Sequence, residues 1–149
     1  MDVSVIIPAY NRAALLKDTL DSVAATTGDF TGEVIVVDDG SEPPLEEQLR
    51  EAGFDWQPVA NMDFRILRQE NQGSLIARLN GLKEAKGEFI QFIDSDDEVE
   101  PRKLIAQREA MRAEDAVLGY TWLKTVLKDG KPGRKQLTVT RYRQVESAA

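Results

Sequence analysis

VSVII at residues 3–7, followed by Pro8, is the stretch that decides the fold, because it predicts a strand buried on both faces. Continuous rather than alternating apolarity is typical of strands that helices cover on each side. The run at residues 34–37 (VIVV) predicts a second buried strand, FRIL at residues 64–67 predicts a third, more exposed strand, and FIQFI at residues 89–93 predicts a fourth. The pattern therefore indicates a mainly parallel central sheet flanked by helices.

Segments with helical periodicity separate these strands. Asn11 is placed to cap a first helix, and Ser74 is placed to cap the helix before the strand at residues 89–93. The predicted apolar faces are Leu16, Leu20 and Val23 in the first helix and Leu75, Leu79 and Leu82 in the second. Strands that alternate with helices imply right-handed βαβ units and an α/β fold, in which ligands bind beyond the carboxyl ends of the strands.

We expect residues 1–149 to form a single domain. Its βαβ core would span residues 1–115, and residues 116–145 would add a β-hairpin extension. The hairpin would consist of strands at residues 116–127 and 136–142, with Asp129 and Gly130 in the turn.

The composition narrows the chemistry and the location of the protein. Cysteine and histidine are absent, so disulfides and zinc–thiolate sites are excluded, and any metal ligand or general base must be a carboxylate. The net charge of −7 argues against a nucleic-acid partner but allows a diphosphate held through a divalent cation. No apolar run approaches the ~20 residues that cross a bilayer, and no secretory signal is recognisable. We expect a cytoplasmic protein, with peripheral attachment at the inner face of the membrane left open.

An acidic loop follows the predicted strand at residues 89–93. Residues 94–100 include Asp94, Asp96, Asp97, Glu98 and Glu100. Repulsion among so many carboxylates is costly unless a cation offsets it, and carboxylate oxygens suit Mg²⁺ or Mn²⁺. The alternative is that these acids cap a helix that begins near residue 101. The loop alone does not favour either interpretation.

Asp38 and Asp39 follow the predicted strand at residues 34–37. They are interpreted either as turn residues or as a functional pair, in which one carboxylate binds a base or ribose and the other supports the loop. The turn is the favoured interpretation when these residues are taken alone. Arg78, in a helix otherwise rich in leucine, is either solvated or pairs with a diphosphate or with the carboxylates.

Six motifs occur together, in order, between residues 4 and 97. They are SVIIPAYN (4–11), VVDDGS (36–41), NQGS (71–74), AR (77–78), GEFI (87–90) and FIDSDD (92–97). In these motifs and their spacing the chain resembles the family 2 glycosyltransferases, which have the Rossmann-like GT-A fold.

The resemblance implies a role for each matching nucleotide-binding position. Pro8, Ala9 and Tyr10 would line the nucleotide pocket through backbone and ring contacts. Asp39 would hydrogen-bond the base, which is most commonly uracil in this family. Arg78 would lie near the base and the phosphates.

The resemblance also implies a metal site. Asp94 and Asp96 would form the DxD motif, with Asp94 near the ribose and Asp96 on a Mn²⁺ or Mg²⁺ ion that bridges the diphosphate. The implied activity is metal-dependent transfer of a sugar, with inversion, from a nucleotide-diphospho-sugar (most commonly a UDP-sugar) to an unidentified glycan, lipid or protein acceptor. The alternative is a catalytically silent nucleotide-sugar-binding or assembly module. A nucleotidyltransferase or dinucleotide-binding dehydrogenase is disfavoured, because residues 8–12 contain no glycine.

The sequence departs from the family pattern at two places. The family usually reads Ala-Arg-Asn where Leu79 follows Arg78 here, so the asparagine is displaced to Asn80. Family members also have an acceptor-binding region and a carboxylate base well beyond the DxD motif, and no such base is recognisable. We therefore expect a truncated chain that lacks the acceptor-binding part and the catalytic base. An exposed sheet edge in such a chain would allow self-association, so a homo-oligomer is a further possibility.

Overall fold

A computed structural model of the protein describes residues 1–119, 123–126 and 132–136. The chain divides into two compact units, Met1–Ile105 and Ala106–Ala149. The interpretation of residues 1–149 as one domain stays a prediction, and each unit is described by itself.

The first unit contains a four-stranded parallel sheet. Its strands are β1 (Val3–Ala9), β2 (Gly32–Asp38), β3 (Met62–Arg68) and β4 (Phe89–Phe92). They lie in the order β3-β2-β1-β4, so the first two strands of the chain occupy the centre. The helices are α1 (Ala13–Ala24), α2 (Leu45–Glu51), α3 (Ser74–Glu84) and α4 (Lys103–Ala113), which continues into the second unit. The mainly parallel sheet flanked by helices is confirmed.

Burial follows the apolar patterns of the strands. Every residue of β1 and β2 is buried, as their continuous apolarity predicts. The larger core cluster lies against α1 and α2, and the smaller one consists of Ile35, Val37 and Ala77 on the α3 side. The predicted strand at residues 89–93 is present as β4, which lies at an edge of the four-stranded sheet and has Ile90 and Phe92 exposed.

Helix α3 packs differently from its predicted arrangement. The buried residues are Ala77 and Gly81, whereas the leucine face is exposed, with Leu75 67% exposed. A Cβ atom on Gly81 would lie 2.6 Å from Ile6 Cγ2 and 3.1 Å from Val37 Cγ2. The helix therefore approaches the sheet through its small residues, and this close approach turns the leucines outward.

Both predicted helix caps are also wrong. Arg12 occupies the cap position of α1 and Gly73 that of α3, and neither helix has a side-chain capping hydrogen bond. Asn11 has a left-handed backbone with φ of 51° and contacts the loop after β2 instead. Ser74 is the first residue of α3, and its hydroxyl accepts a hydrogen bond from Arg78.

The second unit contains an antiparallel strand pair. β5 (Leu123–Val126) pairs with β6 (Pro132–Gln136), and Leu123 lies opposite Gln136. Both strands lie within residues 116–145, but β5 begins later than the predicted strand at residues 116–127 and β6 begins earlier than the one at residues 136–142. The hairpin extension as a whole stays a prediction. The predicted turn residues Asp129 and Gly130, and residues 137–142, lie outside the described residues.

Candidate functional site

A cleft of about 390 Å³ opens at the carboxyl ends of the central strands. Its lining consists of Pro8, Ala9, Tyr10, Arg12, Asp39, Ser74, Arg78, Asp94, Ser95 and Asp96. Strand β1 ends in this cleft, and the loops after β2 and β4 contribute its carboxylates. Parallel strands bring such loops together at one edge of a sheet, which is where α/β folds bind ligands.

The adjacent residues Asp38 and Asp39 have different surroundings. Asp38 is 1% exposed, and its Oδ1 accepts a hydrogen bond from Ser41 N at 2.9 Å. Its Oδ2 accepts hydrogen bonds from Leu45 N at 3.1 Å and from Arg68 Nη1 at 3.2 Å. Asp38 therefore supports the loop and the start of α2, which is the role that the functional interpretation gives to one of the two carboxylates.

Asp39 contacts the loop before α3 and lines the cleft. Its Oδ1 accepts hydrogen bonds from Gln72 N and Gln69 Nε2, each at 2.8 Å. Its Oδ2 accepts one from Gly73 N, also at 2.8 Å. Gly73 has φ of +88°, a region that favours glycine, and this turn directs the amide toward Asp39. Three donors thus hold this carboxylate, which is only 4% exposed.

Asn11 joins the loops that follow β1 and β2. Its backbone N–H donates to Ser41 Oγ at 2.9 Å, and its Oδ1 accepts from Glu42 N at 3.0 Å. Asparagine tolerates the left-handed backbone that this bridge needs. The bridge connects the loop that carries Tyr10 with the loop that carries Asp39.

Two arginines contact the carboxylates of the acidic loop. Arg78 on α3 donates to Asp94 Oδ1 and, at 3.3 Å, to Ser74 Oγ. Arg12, just before α1, donates to Asp96 Oδ2 at 3.1 Å. The cleft therefore contains two guanidinium groups among its carboxylates, an arrangement that suits a phosphorylated ligand.

The acidic loop concentrates negative charge. Burial, and then the charges of Asp94 and Asp96, raise the pKa of Asp97 above its ordinary value. Lys103 opposes this effect, and burial lowers the pKa of Lys103 itself to about 8. Part of the shift in the pKa of Asp97 is therefore due to the charges of the two neighbouring carboxylates.

The donor set fits a hard divalent cation that a ligand helps to bind. Among the described residues, no group of three acidic side chains forms a metal site made of protein atoms alone. Asp94 and Asp96 line the same cleft, and Mg²⁺ typically uses one or two carboxylates together with waters and substrate phosphates. The fit therefore requires a phosphate-bearing ligand in the cleft.

All seven site residues predicted from the sequence line this single cleft. They are Pro8, Ala9, Tyr10, Asp39, Arg78, Asp94 and Asp96. Arg12, Ser74 and Ser95 also line the cleft and were not among the predicted site residues. Arg12 directly follows the first motif, and its position there is the signal that could have identified it.

A family model described as Glycosyl transferase family 2 matches residues 4–147. The chain belongs to glycosyl transferase family 2. The Bacillus subtilis protein TuaG is 31% identical over 130 residues, covering 87% of this chain and 50% of TuaG. Glycosyltransferase GlyA of Streptococcus pneumoniae is 38% identical over 100 residues, covering 66% of this chain and 13% of GlyA. The family 2 chain thus spans half or less of the length of these relatives.

Solved structures of glycosyltransferases share the fold. S. aureus TarS 1-349 in complex with UDP-GlcNAc superposes with a TM-score of 0.63 at 31% identity, covering 77% of this chain and 32% of TarS. Mannosyltransferase PcManGT from Pyrobaculum calidifontis, in complex with GDP-Man and Mn²⁺, gives a TM-score of 0.55 at 28% identity, covering 70% and 30%. The predicted GT-A fold is confirmed. Within the described residues, no helix has the length and apolarity needed to cross a membrane.

Proposed function

We propose that this chain binds a glycosyl donor substrate, a UDP-sugar, in the cleft at the carboxyl ends of β1, β2 and β4. The sugar would pass to an acceptor with inversion at the anomeric carbon, as the family resemblance implies. One observation carries the proposal: Asp39, Arg78, Asp94 and Asp96 meet in one cleft although they come from three separate segments of the chain. Binding of UDP-GlcNAc by the TarS neighbour supports the choice of nucleotide.

The diphosphate would lie between the acidic loop and the two arginines. Asp96 would hold a Mn²⁺ or Mg²⁺ ion, and Asp94 would accept hydrogen bonds from the ribose. The ion would supply Lewis-acid stabilisation of the charge on the departing nucleoside diphosphate. Mn²⁺ in the complex of the PcManGT neighbour supports this assignment.

The arginines would exchange partners when the ligand binds. Arg12 and Arg78 now donate to Asp96 and Asp94, and their exposed fractions of 54% and 30% leave them room to reorient. A guanidinium group binds phosphate oxygens through two donors in one plane. We propose that both arginines turn to the diphosphate and thereby free the two carboxylates for the cation and the ribose.

The base would bind at the other end of the cleft. Asp39 would accept a hydrogen bond from the imide N–H of uracil, because its carboxylate is held in place there. Tyr10 is 48% exposed and has an aromatic face available for stacking. Pro8 and Ala9 would complete the pocket with backbone contacts.

The proposal is tested by binding and then by turnover. The chain is titrated with UDP, GDP and ADP in the presence of Mn²⁺, and UDP is expected to bind most tightly. Failure of all three nucleotides to bind at millimolar concentration would refute the proposal. If UDP binds, the chain is then incubated with UDP-sugars and a panel of acceptors. Release of UDP indicates a transferase, and binding without release indicates a silent binding module.

A further inference from the structure

A chain of side-chain hydrogen bonds runs to Asp39 from outside the cleft. Lys83 Nζ donates to Asn80 Oδ1 at 2.9 Å, and Asn80 Nδ2 donates to Gln69 Oε1 at 2.8 Å. Gln69 Nε2 then donates to Asp39 Oδ1 at 2.8 Å. Neither Gln69 nor Asn80 is among the described residues that line the cleft, and both border a separate depression of about 240 Å³.

We infer that Gln69, oriented by Asn80, is a positioning residue that fixes which oxygen of Asp39 is presented to the nucleobase. The inference rests on the proposed function, because it concerns how the same site recognises the base of its nucleotide. It also assigns a role to Asn80, which lies one position later than the asparagine of the family pattern.

Lys83 sets the donor-to-acceptor direction of this series of hydrogen bonds. An ammonium group has donors and no acceptor, so Lys83 requires the oxygen of the Asn80 amide. The Asn80 NH₂ group must then face Gln69, and it requires the oxygen of the Gln69 amide. The NH₂ group of Gln69 consequently points at Asp39, so each amide has one orientation that satisfies both of its neighbours.

This orientation determines which acceptor positions of Asp39 are occupied. Each carboxylate oxygen has two lone pairs. Gln69 Nε2 and Gln72 N occupy both positions at Oδ1, whereas Gly73 N occupies one at Oδ2. Within the part of the chain that the structure describes, one acceptor position at Oδ2 is left for a ligand. Uracil offers one imide N–H flanked by two carbonyls, which matches a single acceptor.

Loss of the Gln69 donor would remove the difference between the two oxygens of Asp39 as acceptors for the base. Both oxygens of Asp39 would then have one open position, and the base could bind in either of two registers. The backbone amides of Gln72 and Gly73 would still hold the carboxylate, so the loop itself should persist. The expected effect is therefore on discrimination between bases and not on binding of the diphosphate.

The test compares UDP with CDP, whose base has no imide N–H and instead carries an amino group beside an unprotonated ring nitrogen. The single open position at Oδ2 in the parent matches the imide, whereas the open position at Oδ1 in the variant would accept the amino N–H of cytosine. Both ligands are titrated into the full chain with Mn²⁺ by calorimetry. The parent chain should prefer UDP by about tenfold, the effect expected of one hydrogen bond to a charged acceptor. Gln69→Leu should reduce this preference to about twofold. The matched control is Gln57→Leu, which makes the same change at an exposed glutamine that is not among the described residues lining the cleft, and it should keep the parent preference.

A second variant acts from further away. Asn80→Asp keeps the shape of the side chain but replaces the NH₂ group that orients Gln69, so it should also lower the preference for UDP. The inference would be overturned if both variants kept the parent's preference for UDP. It would also be overturned if the variants bound both ligands more weakly by the same factor. Equal binding of the two ligands by the parent would overturn it while leaving nucleotide binding intact. No binding of UDP by the parent would instead overturn the proposed function, and the inference with it.

Discussion

Arg12 and Asp96 form an ion pair at 3.1 Å, although 84 residues separate them in the sequence. The pair joins the loop after β1 to the loop after β4, on the two strands that lie side by side in the sheet. Arg78 contacts Asp94 nearby, so Asp94 and Asp96 each have a guanidinium partner. These partners offset the repulsion between the two carboxylates.

Arg12→Gln should weaken UDP binding without destabilising the fold. The ion pair is exposed on both sides and should contribute at most about 1 kcal/mol to the free energy of unfolding. Loss of one charged donor to the diphosphate should lower UDP affinity about tenfold in Mn²⁺. Calorimetry and urea unfolding measure the two effects. The control is Arg50→Gln, which removes a guanidinium paired with Glu46 on α2, and equal UDP affinity in both variants would contradict the prediction.

Asp38→Asn should destabilise the fold while preserving the nucleotide site. Asp38 accepts hydrogen bonds from Ser41 N and Leu45 N and pairs with Arg68, and none of these described partners lines the cleft. The free energy of unfolding should fall by about 1.5–3 kcal/mol per charged hydrogen bond lost. UDP affinity of the folded chain should stay within about threefold of the parent value. An unchanged urea midpoint together with lost UDP binding would reverse the roles of the two adjacent aspartates.

Glu33→Gln should lower stability in a pH-dependent manner. Glu33 is 3% exposed, and it accepts hydrogen bonds from Ser4 Oγ at 2.7 Å, Lys86 N at 2.7 Å and Arg65 Nη2 at 3.2 Å. Burial alone would raise the pKa of Glu33, but these hydrogen bonds outweigh it, so the pKa lies below the ordinary 4.5. The stabilisation is therefore complete above pH 4.5 and is lost as the pH falls through the lowered pKa.

Urea unfolding of the parent and the Glu33→Gln variant over a pH series checks this. At pH 7 the variant should be less stable by about 1.5–3 kcal/mol, and the difference should narrow below pH 4.5. Glu84→Gln serves as the control, because its carboxylate is 56% exposed and 3.7 Å from the same Arg65. A difference that is constant from pH 7 to pH 3 would show that ionised Glu33 does not supply the stabilisation.

Two substitutions on α3 should lower the free energy of unfolding by different amounts, with the larger loss at the small buried residue. Gly81→Ala places a Cβ atom 2.6 Å from Ile6 Cγ2, and overpacking of this kind costs about 1–3 kcal/mol, partly offset by the helix propensity of alanine. Leu75→Ala removes a side chain that is 67% exposed and should cost less than about 0.5 kcal/mol. Thermal unfolding of both variants gives the comparison. A larger loss from Leu75→Ala would mean that the leucine face is covered in solution.

The elements that the sequence predicted best are those with local signals. Continuous apolarity identified β1 and β2. The motifs of the family resemblance pointed to seven residues that line the cleft, and those in the loops after β1, β2 and β4 meet because the carboxyl ends of parallel strands share one edge. The periodicity of α3 predicted a helix but the wrong face, since leucine spacing cannot reveal that Gly81 allows a closer approach. The contacts of Arg12 and the Gln69–Asn80 hydrogen bond depend on segments brought together by folding, so no local pattern predicted them.

The most direct test of the nucleotide site is calorimetric titration of UDP into the chain, with and without Mn²⁺, repeated on Asp96→Ala. Asp63→Ala is the control, because it removes an exposed aspartate on β3, away from the cleft. We predict binding that requires Mn²⁺, is retained in Asp63→Ala and is lost in Asp96→Ala. Binding of UDP with equal affinity in the presence and absence of Mn²⁺, or in the Asp96→Ala variant, would contradict the metal-bridged diphosphate that the account places in this cleft.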